Sequence, residues 1–175
     1  VWFVSDTHFG HRKILEYARP QFRTLEEMED CLITNWRETV GPTDLVYHLG
    51  DFARRTKDAV RVRPLLTGTI RLIIGNHDDV PSLAAAKLFQ RMSLWRSFPE
   101  YGFHATHVPS RRQHLRHANL NVHGHVHGDD RNLEDFHRDV SVEAIDFRPI
   151  SAMELREWAR TWRPAERLSP EAPGG

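Results

Sequence analysis

The chain has 175 residues, with 24 lysine and arginine side chains against 24 aspartate and glutamate, so it is one domain's worth of sequence with no bulk charge to draw it to nucleic acid or to a membrane surface. No apolar run reaches membrane-spanning length, and the single cysteine, Cys31, excludes an internal disulfide. With no cationic-then-apolar leader ahead of the first strand, the cytosol is the expected compartment, and twelve histidines are the one compositional anomaly.

In chain order, residues 1–4 predict a strand apolar on both faces and therefore interior to a sheet, ending at Ser5-Asp6-Thr7-His8. A helix is expected over Arg12 to Ala18, stopped by Pro20. Thr24 with Glu27 forms a capping box, and Leu25, Met28, Leu32, Trp36 and Val40 fall on one stripe before Gly41-Pro42. Cys31, beside that stripe, reads as core filler. Residues 44–49 are a second strand running into Gly50-Asp51. Residues 56–66 are a basic segment in which Pro64 keeps any helix short or kinked. Residues 69–74 are a third buried strand, ending in Gly75-Asn76-His77-Asp78, with a short helix over 82–91. Strands follow at 93–98, 101–106, 120–123 and 137–147, the last with alternating Val140 and Val142. Ser151 with Glu154 forms a second capping box and opens a helix through Trp158 and Trp162. Strands alternating with helices first, then mostly strands, predict an α/β sandwich on a mixed sheet: one domain over residues 1–163, with a flexible tail over 164–175.

The residues able to do chemistry sit where these strands end. Asp6 and His8, then Asp51, then Asn76 and His77 follow the first three, His107 closes a later one, and His123-Gly124-His125-Val126-His127 closes another. Ligands collect beyond the carboxyl ends of strands because the loops converge there while the strands hold them rigid. Gly50 and Gly75 permit tight turns and close approach, and Gly124 lets the chain turn so that His125 and His127 both reach inward. Each signal alone is weak: an isolated Asp-x-His or Gly-Asp is usually without function, and alternating histidines usually belong to a surface loop. In order and together, Asp-x-His, Gly-Asp, Gly-Asn-His-Asp, Thr-His-x-Pro and Gly-His-x-His over residues 6–127 resemble the five-motif signature of the calcineurin-like metallophosphoesterase superfamily. The longer forms at 5–11, 47–52 and 140–150 resemble a small subgroup from bacteria and phages.

That resemblance implies a four-layered α/β/β/α sandwich and a metal-dependent phosphoesterase, acting on diesters in slight preference to monoesters, by in-line attack of a hydroxide bridging two ions. It implies that Asp6, His8 and His127 hold one ion, that Asn76, His107 and His125 hold the other, and that Asp51 bridges them. The implied cofactors are two divalent transition-metal ions among manganese, iron, zinc, nickel and cobalt, manganese foremost, since imidazole with carboxylate suits these better than magnesium or calcium. His77 corresponds to the histidine that donates to the phosphate or protonates the leaving oxygen. His11 and Arg54 are candidates to hold the substrate phosphate. Arg54 stands where many relatives carry the aspartate that orients that histidine, which leaves Asp78 or Asp79 for the task. His48 and His123 are expected beside the ligands, and His104 has the wrong strand parity to point with His107. Residues 111–117 read as a solvated basic loop that holds an anionic substrate only if it borders the site. The implied partner is a phosphate-ester substrate such as a nucleotide or nucleic-acid end, with no membrane and no obligate protein partner. Phosphomonoesterase action at the same site and a protein-binding scaffold on the same fold are the rival readings; the intact ligand set argues against the scaffold.

Overall fold

The computed structural model describes residues 1–115 and 117–162, so the tail expected over 164–175, and Arg116 of the basic loop, lie outside the described residues. Nine strands are traced in that span: β1 (Trp2–Val4), β2 (Leu45–His48), β3 (Thr69–Ile73), β4 (Arg91–Ser93), β5 (Trp95–Phe98), β6 (Phe103–Thr106), β7 (Leu120–His123), β8 (His137–Asp139) and β9 (Ile150–Ser151). The first sheet has the order β4-β3-β2-β1-β9, parallel except for β9, and the second has the order β5-β6-β7-β8, parallel except for the β5–β6 pair. Both sheets are mixed, as the sequence predicts.

Alternation along the strands sorts their side chains into two cores. Phe3, Tyr47 and Ile73 face the second sheet and meet Phe98, Phe103, Ala105, Leu120 and Val122 there. Val4, Val46, Ile70 and Leu72 face the other way, toward the helices. A strand covered on both faces must be apolar throughout, which is why β1 carries no alternation in its sequence. Burying a side chain such as Phe3, which is fully covered, stabilises the fold by about 1.5–3 kcal/mol.

Five α-helices are traced among the described residues: α1 (Ile14–Tyr17), α2 (Leu25–Thr39), α3 (Thr56–Val62), α4 (Val80–Ala86) and α5 (Ala152–Thr161). The stripe on α2 is buried at Met28, Leu32 and Trp36, and Val40 continues it. Its cap differs in one detail from the expected box: Thr24 Oγ1 accepts from the Glu27 amide, but the Glu27 carboxylate accepts from the amide of Arg23 instead of Thr24. The Ser151–Glu154 box on α5 closes fully. Leu155 and Ala159 of α5 enter the same cluster as the inner faces of the two sheets, and α5 packs on β6 and β7.

Three boundaries differ from the sequence reading, each for a local reason. The helix expected over 82–91 starts two residues earlier, because Asp79 caps it and Pro81 suits its first turn, and it stops at Ala86, where Lys87 turns left-handed (φ 52°). The strand expected over 93–98 is two strands in different sheets, and Leu94, 70 % exposed, marks the crossing. The strand expected over 137–147 ends at Asp139; Ser141 then bridges to Ser5 beyond β1, and residues 142–145 form a 3₁₀ turn. Val140 and Val142 are both fully buried, but in the two different cores. This segment therefore ties the sheets together beside the end of β1.

Candidate metal centre

The parallel strands β1, β2 and β3 deliver their carboxyl ends to one rim, and β6 and β7 of the second sheet deliver theirs to the same place. The loops continue side by side after the strands end: the amides of Asp6, His8 and Phe9 donate to the carbonyls of Gly50, Asp51 and Phe52, and the Gly124 amide donates to the His107 carbonyl. The backbone there is unusual. Asp6, His8, Asp51, His125 and His127 all have left-handed conformations, φ between 49° and 73°. Non-glycine residues enter that region rarely and at a cost, and such strain concentrates at functional sites. Here it turns every second residue of Asp6-Thr7-His8 and His125-Val126-His127 into the same space.

All seven candidate ligands converge. Asp6 Oδ1 lies 3.7 Å from His8 Nε2 and 3.8 Å from His127 Nε2. Asp51 Oδ2 lies 3.6 Å from His8 Nε2 and 3.5 Å from His107 Nε2, between the two halves of the site. Asn76 Oδ1 lies 2.9 Å from His107 Nε2 and 3.0 Å from His125 Nδ1. Among the described residues, two groups of donors are close enough to share an ion: Asp6, His8 and His127, as the resemblance implies, and Asp6, Asp51 and His107, which places Asp6 at the second position too.

The residues fit divalent ions on a physical test. Asp6 and His8 are 0 % and 1 % exposed, yet Asp6 Oδ1 and His8 Nε2, which face each other, have no hydrogen-bond partner. Buried polar atoms are costly unless satisfied, and a shared cation satisfies both. The nitrogen and oxygen donors suit a transition metal. Burial works to raise the Asp6 pKa, but His8, His107 and His127 outweigh it and hold the carboxyl well below its usual range, so it is ionised and ready to ligate. His107 donates from Nδ1 to the Leu49 carbonyl at 2.8 Å, which aims Nε2 at the site.

Several groups that hold the ligands were not found from sequence. Glu143 Oε1 accepts from His127 Nδ1 at 3.0 Å and from Arg19 Nε at 2.8 Å. Arg19 is fully buried and also donates to the carbonyls of Thr7 and Asp6, so one guanidinium fixes the left-handed loop after β1 and the carboxylate that orients His127. Burial pushes the Glu143 pKa up, but His127 and Arg19 together bring it below the usual value. Asp6 Oδ2 accepts from the His125 amide and from Ser141 Oγ, which also reaches Asp139. Glu143 lies in the 140–150 stretch that resembles the subgroup, but no local signal couples it to His127, and nothing in Ala18-Arg19-Pro20 marks Arg19 as buried.

Neither expected orienting partner touches His77. Asp78 accepts from the amides of Asp51, Phe52 and Gly75 and so staples the loops after β2 and β3 together. Burial pushes its pKa up to about 6 against those hydrogen bonds. Asp79 caps α4. His77 is instead placed by its own amide, which donates to Asp51 Oδ1 at 2.8 Å, and its exposed ring sits 5.4 Å from that of His8 and 6.0 Å from that of His11. His11 is therefore at the edge of the site, with burial and then the neighbouring His8 pushing its pKa down to about 4. Arg54 is exposed and lines a groove together with His11.

The remaining histidines do not join. His48 donates from Nε2 to Thr7 Oγ1, whose own proton goes to the Phe52 carbonyl, so it steadies the same loops from beneath. His123 is buried at the end of β7, donating to the Gly124 carbonyl. Gly124 has no left-handed torsion; it is glycine because a Cβ there would collide with Ser5 Oγ and the Asp6 carboxylate. His104 bonds Ser97 on the opposite face of β6. In the basic loop, Arg112 is committed to the Ala118 carbonyl and to the rings of Phe136 and Trp162. A cavity of about 550 Å³ elsewhere is lined by Trp95, Ser97, His104 and His114 and by none of the candidate ligands. The chemistry sits on an open rim, with Asn76, His77 and His125 exposed.

Comparison with known proteins agrees with this geometry. A family profile described as calcineurin-like phosphoesterase matches residues 1–166. An uncharacterized protein of Methanocaldococcus jannaschii is 32 % identical over 160 residues, covering 86 % of this chain and 86 % of that protein. A phage product called Gene 66 protein, from a Mycobacterium phage, is 29 % identical, covering 73 % of this chain and 77 % of that protein. A crystal structure of an Aquifex aeolicus protein of unknown function superposes with a TM-score of 0.70 at 27 % identity, covering 89 % of this chain and 97 % of the other.

Proposed function

The chain belongs to the calcineurin-like phosphoesterase family, and from that premise we propose that it is a binuclear metal-dependent phosphoesterase with a preference for phosphodiesters. The observation that carries the reading is the pair of facing, unpartnered, buried ligand atoms on Asp6 and His8, flanked by Asp51, His107, Asn76, His125 and His127.

Asp6, His8 and His127 would hold one ion and Asn76, His107 and His125 the other, with Asp51 placed to serve both. Two such ions supply Lewis acidity that activates water and polarises the scissile phosphate. The protein's own contribution is placement and proton supply. Glu143 and Leu49 O fix the Nδ1 protons of His127 and His107, so each ring presents Nε2 inward. His77, held over the rim by Asp51, protonates the leaving oxygen or donates to the phosphoryl group. His11 and Arg54 hold the remaining phosphoryl oxygens. The open rim favours a diester over a monoester, since both substituents of the phosphate need room.

The test is metal-stripped protein reloaded with manganese, nickel or zinc and offered matched aryl phosphomonoester and phosphodiester substrates. The reading expects metal-dependent turnover with the diester the better substrate; faster monoester turnover would reassign the preference, and no turnover with any metal would favour a binding scaffold.

A further inference from the structure

A groove of about 430 Å³ opens beside the centre between the loops that follow β1 and β2. Arg12, Lys13, Arg54, Arg55 and Lys57 line it, against the single carboxylate of Asp58. All five cations are exposed, and among the described residues none makes an ion pair or a side-chain hydrogen bond. Among the described residues, the lysine and arginine ion pairs instead use Arg19, Arg61, Arg131, Arg148 and Arg160. In a chain of zero formal net charge, five unpaired cations on one groove are a strong local field that general solubility does not require. The groove meets the centre at His11, which lines it and whose ring is 5.2 Å from that of His8. The ring of Tyr17 lies 6.4 Å from that of His11 and is 63 % exposed.

We propose that this groove binds the phosphates next to the scissile one, so that the substrate is the end of a single-stranded nucleic acid, with a base resting on Tyr17. The proposal rests on the phosphoesterase reading for the scissile step only. A basic track joined to an exposed aromatic face is the combination that holds a strand without reading its sequence, the cations taking phosphates and the ring stacking a base. With Arg54 on the scissile phosphate, a single small phosphate ester leaves Arg12, Lys13, Arg55 and Lys57 with nothing to hold.

The test is the binding of a fluorescein-labelled ten-residue thymidine oligodeoxynucleotide to the full chain, followed by anisotropy with and without manganese across a salt series. The variant Arg12→Ser/Lys13→Ser/Lys57→Ser should weaken binding by about tenfold or more and make the salt dependence shallower by about 2 in slope. Removing equal charge at Arg91, Arg131 and Arg156, which do not line the groove, should change affinity by less than about twofold. Tyr17→Ala should weaken binding without changing the salt slope. Equal losses from both charge variants, or none from the groove variant, would overturn the proposal. Displacement of the oligonucleotide by inorganic triphosphate as readily as by unlabelled strand would overturn the strand in favour of a small polyphosphate. Groove-dependent binding with no cleavage of the strand, while aryl esters are turned over, would overturn the strand as substrate; groove-dependent binding with no turnover of strand or aryl ester under any metal removes the phosphoesterase reading and leaves the strand-binding groove.

Discussion

His77 stands over the rim with an exposed ring and a backbone amide tied to the Asp51 carboxylate, and among the described residues its ring makes no hydrogen bond to a carboxylate. Its proposed work is proton donation, separable from metal holding. His77→Ala should keep both metals by elemental analysis and lose about 10²–10⁴ in turnover; wild-type turnover in the loaded variant would remove it from the mechanism. Glu143 is the opposite case, acting on the ions only through His127 and Arg19. Glu143→Gln should lower metal affinity by about 10–100-fold in a chelator competition, while saturating metal restores most turnover. Affinity equal to wild type would show that His127 needs no orienting carboxylate. The two residues also show what the sequence could reveal. His77 sits inside Gly-Asn-His-Asp, a contiguous motif, whereas Glu143 is 16 residues from His127 and 124 from Arg19, and only the folded chain joins them.

At the level of elements, the centre is a set of loops that continue parallel strands past their ends, packed so closely that side chains cannot intervene. The order of motifs was readable because each strand ends in its own ligand-bearing stretch. The left-handed torsions at Asp6, His8, Asp51, His125 and His127 were not, since nothing in aspartate or histidine announces them. His123 was separable from His125 and His127 at the Gly124 turn, but the left-handed torsions that complete the separation beyond β7 were not readable. The split of residues 91–98 between two sheets was equally hidden, because a strand crossing between sheets has the same local composition as a strand that stays in one. Close packing gives the element-scale prediction. Gly124→Ala should displace the loop carrying His125 and His127 from Asp6 and abolish tight metal binding, although Gly124 itself has an ordinary backbone conformation that alanine tolerates. Metal affinity within about twofold of wild type in a calorimetric titration would show that the loop can shift without loss.

For the molecule as a whole, protons act on stability through a buried histidine bonded to Thr7, between Asp6 and His8. No helix among the described residues is long and apolar enough to cross a membrane, and the two cores flank the first sheet, whose strand ends carry Asp6, His8, Asp51 and Asn76. The fully buried His48 has its pKa pushed down to about 3 from 6.5 by burial. Its folded pKa is depressed, so the unfolded chain binds the extra proton first. The stability due to the neutral ring is complete above pH 6.5 and is lost progressively as pH falls toward 3. For the metal-free protein this amounts to roughly 2 kcal/mol between pH 6.5 and about 5, and His48→Gln should remove that part of the acid sensitivity in urea melts. An unchanged slope of stability with pH would place the acid sensitivity elsewhere. The central claim is that two ions, held jointly across the strand ends, make this chain a phosphoesterase. It is tested most directly by titrating metal-stripped protein with manganese while following hydrolysis of an aryl phosphodiester. Turnover should be slight at one equivalent, rise as the second binds and level off at two. A plateau at one equivalent, or no hydrolysis at any manganese, nickel or zinc loading, would contradict the claim.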